Sequence, residues 1–239
     1  MKTLILCDER LPAPAKIRLS DFGELIEIHT GNITYAAISG HPDIFFCPAG
    51  DIMVVSPSLP EKYTGLFTDF GIKWTYGIKP TAFSYPDSAF YNAVVTKDLL
   101  IHNLLITDPM IKRLAGNRKQ INVNQGYTRC NLLPLPGDAF ITSDQGIFKV
   151  LNLEGFEVLY VNPAGIVLDG FPNGFIGGVC GVNGNDVFFA GSLSYYNEGQ
   201  KIKNFLSCHA LNIIELYDGP LIDGGSIIMS IRNSVRPIE

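Results

Sequence analysis

Charge is scarce in this chain. Of its 239 residues only 17% are Asp, Glu, Lys or Arg, against 46% hydrophobic ones, a balance that excludes intrinsic disorder and implies a buried core. Neither sign is concentrated. The formal net charge is −5 and no run of Lys or Arg occurs, so the electrostatic grip on phosphates is missing and no nucleic-acid partner is expected. Long apolar runs are missing as well: none approaches the roughly 20 residues a membrane span needs, and no membrane partner is expected. The opening MKTLILCDER has a four-residue apolar run followed by charges. That is too short for a secretory signal, so the segment reads as a strand and a cytoplasmic protein is expected.

Cysteine is sparse, odd in number and dispersed. Cys7, Cys47, Cys130, Cys180 and Cys208 include no CxxC pair, which excludes zinc-ribbon and redox motifs and suits small core thiols in a reducing compartment. There is no GxxxxGK[ST] to cradle a nucleotide. The Asn-Gly of NGND (183–186) is instead a hairpin turn signal. The spacing of His, Cys and Asp matches no metal template, so neither a metal nor an organic cofactor is expected.

What is present is a repeat. Four times an apolar run meets a polar turn ending in Asp, then a second apolar run: DIFFCPAGDIMVV (43–55), NAVVTKDLLI (92–101), NLLPLPGDAFI (131–141) and GGVCGVNGNDVFF (177–189). The turn residues Asp51, Asp98, Asp138 and Asp186 lie 47, 40 and 48 positions apart, a period that marks one supersecondary unit used repeatedly. Each hairpin leads to the same sequel, a helix and then a strand. The helices fall at 60–70, 108–115, 145–155 and 197–210, with Asp108-Pro109 as a helix start and Gly155 as a stop. Length, β-branched content and flanking Gly make the closing segments 72–78, 120–125, 156–162 and 212–218 strands. The termini hold a fifth copy cut in two. GGSIIMSI (224–231) matches the first half of a hairpin; TLILCDE (3–9) matches the second, followed by a helix at 14–22 and a strand at 24–30. Pairing the first strand with the last closes a ring and removes exposed sheet edges. The expected fold is α/β: one domain over residues 1–239, a five-fold pseudosymmetric α/β propeller of ββαβ-type units. Three insertions, 35–40, 85–91 and 167–174, would emerge at one end and build its mouth.

A five-fold ββαβ propeller resembles the pentein architecture of guanidino-group-modifying enzymes. These comprise arginine and agmatine deiminases, dimethylarginine hydrolases and amidinotransferases. The segments GYTRCN (126–131), SGHPDIFFC (39–47), GFIGGVCG (174–181) and DGGSIIM (223–229) resemble an uncharacterised branch of that superfamily. The resemblance implies a catalytic Cys in the last repeat, in a pattern like GGGxxHC. Here that stretch reads GGSIIM and the Cys falls on Met229, whose thioether cannot become the attacking thiolate.

Superimposing the first strands of the hairpins aligns Asp43, Asn92, Asn131, Gly178 and Gly225. They form either turn caps or a polar ring in which the glycines let a ligand reach backbone. His41 beside Asp43 makes either a general base with its orienting carboxylate or a simple turn. Cys130 occupies the rim of another repeat, and Arg129 next to it could lower its pKa or hold a carboxylate. Cys130, His41 and Asp43 are thus the candidate nucleophile, base and orienter. Arg129, Asn131, Asn92, Gly178, Cys180, Asp223, Gly225 and Ser226 are the candidate ligand-binding residues, although the small residues around Cys180 also suit close backbone packing. The expected partner is a small molecule, guanidino- or amidino-like, held in an axial cleft without the usual C-terminal Cys. The alternatives are a thiol-dependent hydrolase or amidinotransferase using Cys130, and a macromolecular interaction module.

Overall fold

The computed structural model describes residues 3–231. In chain order the elements are β1 (Thr3–Asp8), α1 (Ala13–Ser20) and β2 (Glu24–Ile28); then α2 (Pro42–Phe45), β3 (Phe46–Ala49), β4 (Ile52–Val55), α3 (Glu61–Asp69) and β5 (Trp74–Tyr76). They continue with β6 (Val94–Val95), β7 (Leu99–His102), α4 (Pro109–Ala115) and β8 (Lys119–Asn122), then α5 (Thr128–Asn131), β9 (Leu132–Pro134), β10 (Phe140–Thr142), α6 (Gln145–Leu153) and β11 (Val158–Tyr160). The last are α7 (Ile176–Val179), β12 (Cys180–Asn183), β13 (Asp186–Phe189), α8 (Gly199–Cys208), β14 (Asn212–Glu215) and β15 (Ile228–Ile231).

The strands make five three-stranded sheets, ordered β3-β4-β5, β6-β7-β8, β9-β10-β11, β12-β13-β14 and β15-β1-β2. In each, an antiparallel pair precedes a parallel one. The local chemistry explains the sequence of events. A tight turn suffices for the antiparallel pair, as at Gly184 with φ +59°, whereas the parallel partner requires a crossover, which the helix supplies. Two of the helices, α4 and α6, start where a side chain satisfies an orphan amide: Asp108 accepts from Met110 N at 2.7 Å and Asp144 from Ile147 N at 2.8 Å.

The fifth sheet joins the two ends of the described chain. Strand β1 pairs antiparallel with β15, in the register Leu4↔Ser230, Ile5↔Met229 and Leu6↔Ile228, and parallel with β2. Its buried side chains serve two different cores. Ile5 and Cys7 join Leu133, Ile141 and Phe188 from two other sheets, while Leu4 and Leu6 join Phe46, Met53 and Val55. Each fully buried aliphatic or aromatic side chain is worth about 1.5–3 kcal/mol, so adjacent sheets are held together by shared apolar surface as well as by chain connection. No helix among the described residues is long and apolar enough to cross a membrane.

One detail differs from the sequence reading. Asp43, Asn131 and Gly178 do not begin strands but sit in the one-turn helices α2, α5 and α7, with Asn92 and Gly225 just ahead of β6 and β15. Pro42 at the first position of α2 explains the case of Asp43, because a proline there is preorganised for a helical turn.

Candidate functional site

The segments that precede the five hairpins touch one another in succession. Asp43 N donates to Gly225 O at 3.1 Å, and Asn92 Nδ2 donates to Asp43 O at 3.1 Å. Arg129 N donates to Asn92 O at 2.9 Å, while Cys130 N donates to Asn92 Oδ1 at 3.0 Å. Arg129 Nη1 donates to Gly177 O at 2.9 Å. Gly224 N and Ser226 N then both donate to Gly178 O, at 3.2 and 2.8 Å, and bring the series back to Gly225. Three of these positions require glycine, and on Gly177 a Cβ would stand 2.1 Å from Arg129 O. A Cβ on Gly225 would stand 2.1 Å from His41 Cβ, at a backbone φ of +67°, and one on Gly178 would stand 1.9 Å from Asp223 Oδ1. Backbones approach this closely only where no side chain intervenes.

Within this frame lies a polar cluster inside an otherwise apolar interior. His41, Asp43 and Cys130 are 1%, 1% and 3% exposed, and one ligating atom of each lies within 4.8 Å of the others. The Cys130 thiol donates to Asp43 Oδ2 at 3.1 Å and receives Asn92 Nδ2 at 3.2 Å. The Ser226 hydroxyl also donates to Asp43 Oδ2, at 2.6 Å. Ser226 has a left-handed backbone, φ +70°, a strained conformation for a side-chain-bearing residue and one that tends to occur at functional sites. Neither ring nitrogen of His41, nor Asp43 Oδ1, has a hydrogen-bond partner among the described residues.

A cavity of about 150 Å³ opens onto His41, Cys130 and Asp223, with Tyr35, Tyr127 and Phe171 among its walls. Tyr35 and Phe171 come from two of the expected insertions, and Tyr35 packs on Phe171 and on Phe83 with ring centroids 5.9 and 6.5 Å apart. Burial pushes the Cys130 thiol well above its ordinary pKa, and the Asp43 and Asp223 carboxylates push it further. Burial likewise raises the Asp223 carboxyl, whose oxygens accept Phe175 N at 2.8 Å and Gly225 N at 3.0 Å.

Arg129 behaves differently from its expected role. Its guanidinium donates to the carbonyls of Leu132, Gly177 and Cys180, so it holds backbone rather than a carboxylate. The Cys130 thiol is raised, not lowered. Arg129 lines a separate cavity of about 190 Å³ that meets Pro48, Val95, Pro134, Val182 and Met229, one residue from the first strand of every sheet. Met229 therefore sits in that cavity, in β15 opposite Ile5, and the segment just ahead of β15 presents Ser226 to Asp43. Cys180 is fully buried at the start of β12. Asn131 turns its side chain to Tyr127 O and Ser143.

Two contributors lay outside the sequence reading. Asp8 ends β1 and Arg10 lies two residues beyond it, and Asp8 Oδ2 lies 3.9 Å from His41 Nε2. Arg10 Nε donates to Asp8 Oδ1 at 2.9 Å, and Arg10 also holds the carbonyls of Ala36 and Ala37. The available signal was charge placed directly after a fully apolar strand, in CDER. The sequence spacing 41, 43, 130 matches no metal template, yet in space these three side chains form a set able to hold an ion.

The architecture matches that of known penteins. An amidinotransferase of the saxitoxin biosynthetic pathway from Microseira wollei superposes with a TM-score of 0.54 at 12% identity, over 86% of this chain and 78% of that one. The inosamine-phosphate amidinotransferase of Streptomyces griseus gives 0.54 at 10% identity, over 92% and 79%. At such identities the likeness shows the fold, the α/β fold of the pentein superfamily. No curated protein matches the sequence significantly. The chain belongs to a family of unknown function (DUF6873), which it matches over residues 6–228.

Proposed function

We propose that the five sheets close as a five-fold propeller, making the chain one domain, and that the His41 cleft binds a small cation carrying a guanidino or amidino group. The closure is supported by the β1–β15 pairing, by the returning series of hydrogen bonds, and by a cavity to which the first strand of every sheet contributes. The binding reading rests on one observation above all: Asp43 Oδ1 is buried and unpartnered, directly behind Cys130, which lines the cleft together with His41 and Asp223. An unsatisfied buried acceptor costs about 1–3 kcal/mol. A planar cation with several N–H donors would relieve that cost and balance the carboxylates. The names of the two amidinotransferases supply the ligand class, as an analogy of fold.

A thiol-dependent reaction is the second reading, favoured by the proximity of Cys130 to His41 and Asp43. It needs the thiol to ionise against burial, and only a bound cation would offset the two carboxylates. Calorimetry and thermal denaturation with guanidine, agmatine and arginine test both readings. Ligand at 100 times its Kd should stabilise the protein by about 2.7 kcal/mol, and Asp43→Asn should remove the effect. If none of the three shifts the transition, the binding reading fails. Turnover that survives Cys130→Ser would remove the thiol reading.

A further inference from the structure

We propose that His41, Asp43 and Cys130 form a site for a borderline divalent cation of the zinc type, with three protein ligands and a fourth position open to the cleft. This goes beyond the guanidino reading and stands without it.

The donor set is the first argument. One imidazole, one carboxylate and one thiol, their ligating atoms mutually within 4.8 Å, combine nitrogen, oxygen and sulfur in the mixture zinc accepts; calcium and magnesium take oxygen alone. Tetrahedral bonds of 2.0–2.3 Å place ligand atoms about 3.3–3.8 Å apart, so rotations of about 1 Å would close the set. The Cys130 sulfur already stands 3.1 Å from Asp43 Oδ2, the oxygen beside the free Oδ1.

The second argument is independent of the cluster. His41 is 1% exposed and neither of its ring nitrogens finds a hydrogen-bond partner among the described residues. A buried imidazole satisfied on neither side is a costly arrangement for a core residue, whereas coordination through one nitrogen satisfies it.

A supporting layer is also in place. Asp8 Oδ2, 3.9 Å from His41 Nε2, is positioned to take that N–H and leave Nδ1 for the metal, the carboxylate–histidine–metal arrangement that orients ligating imidazoles. Arg10 fixes Asp8 in turn. Ser226 occupies Asp43 Oδ2 and leaves Oδ1 free, and Asn92 directs Nδ2 at the sulfur. On binding, Cys130 loses its proton to solvent and coordinates as thiolate. The fourth position faces the 150 Å³ cavity, where water or an anionic group would complete the tetrahedron. The cation and a guanidinium need the same Asp43 oxygen, so each should exclude the other.

The test uses the full chain, stripped with chelator and titrated with Zn²⁺ against a chromophoric chelator, and with Co²⁺ followed by visible absorption. One equivalent should bind, with a thiolate-to-cobalt charge-transfer band in the unmodified protein. Cys130→Ser and His41→Gln should each weaken binding at least about 100-fold, and Asp8→Asn about 10–100-fold. Cys208→Ser, at the exposed thiol, should change nothing. The proposal is overturned by no binding at micromolar metal, by a cobalt spectrum without the thiolate band, or by loss of binding only in Cys208→Ser. The cobalt band is read on the unmodified protein, so poor folding of a variant does not rescue the idea. Guanidino binding measured in chelator-treated protein decides the other reading separately.

Discussion

Single buried side chains fix the loops on which the cleft depends, and His102 is the plainest case. It ends β7 fully buried, with Nδ1 2.8 Å from the Thr107 hydroxyl and Nε2 2.8 Å from the carbonyl of Gly126, where the stretch leading to Cys130 begins. Burial lowers its pKa to about 4 from the ordinary 6.5, against hydrogen bonds that raise it. The unfolded chain therefore binds the proton more readily than the folded one between about pH 6.5 and 4. Stability is complete above that window and falls as pH drops through it. Between pH 7.5 and pH 5 the loss from this residue should be about 2 kcal/mol. Urea unfolding of the wild type and of His102→Gln at both values reads the difference; equal pH slopes in the two proteins would refute the assignment.

At the scale of elements, one carboxylate ties a helix start to the adjoining loop. Asp108 caps α4 through Oδ1, and its Oδ2 accepts the amides of Ile78 and Lys79 at 2.8 and 2.7 Å, although the residue is fully buried. Removing it strands two part-buried amide donors together with the cap. Asp108→Ala should cost about 3 kcal/mol or more, seen as a lower urea midpoint at unchanged slope. A loss below about 1 kcal/mol would mean that water replaces the carboxylate. The helix start itself was visible as Asp108-Pro109. Its link to residues 78 and 79 was not, because nothing in local sequence says which amides a buried carboxylate meets. Element boundaries followed the same rule. Helix 145–155 was seen at Gln145–Leu153, but α2 was hidden in an apolar run that reads as strand, despite the proline that starts it.

At the scale of the whole molecule, β1 carries the join. It has β15 on one edge and β2 on the other, so removing it leaves two unpaired strand edges and opens two apolar clusters. A chain beginning at residue 10 should lose its cooperative unfolding transition, and adding a peptide of residues 1–9 should restore it. A truncated chain that unfolds in the wild-type transition would show that the sheet does not hold the ends.

The forty-odd-residue period, the hairpin–helix–strand order and the meeting of the two chain ends were legible in sequence, because patterning and turn chemistry are local and each repeat states them again. Asp43 and Cys130 were also nameable, as residues of equivalent repeats. What only the tertiary structure decided is who stands beside whom. Asp8 reaches His41 and Ser226 reaches Asp43 across 183 positions, while Arg129, adjacent to Cys130 in the chain, turns to backbone carbonyls instead. The physical reason is that a side chain's partners follow from the packing of one repeat against the next, and that packing depends on shape and burial summed over all five sheets.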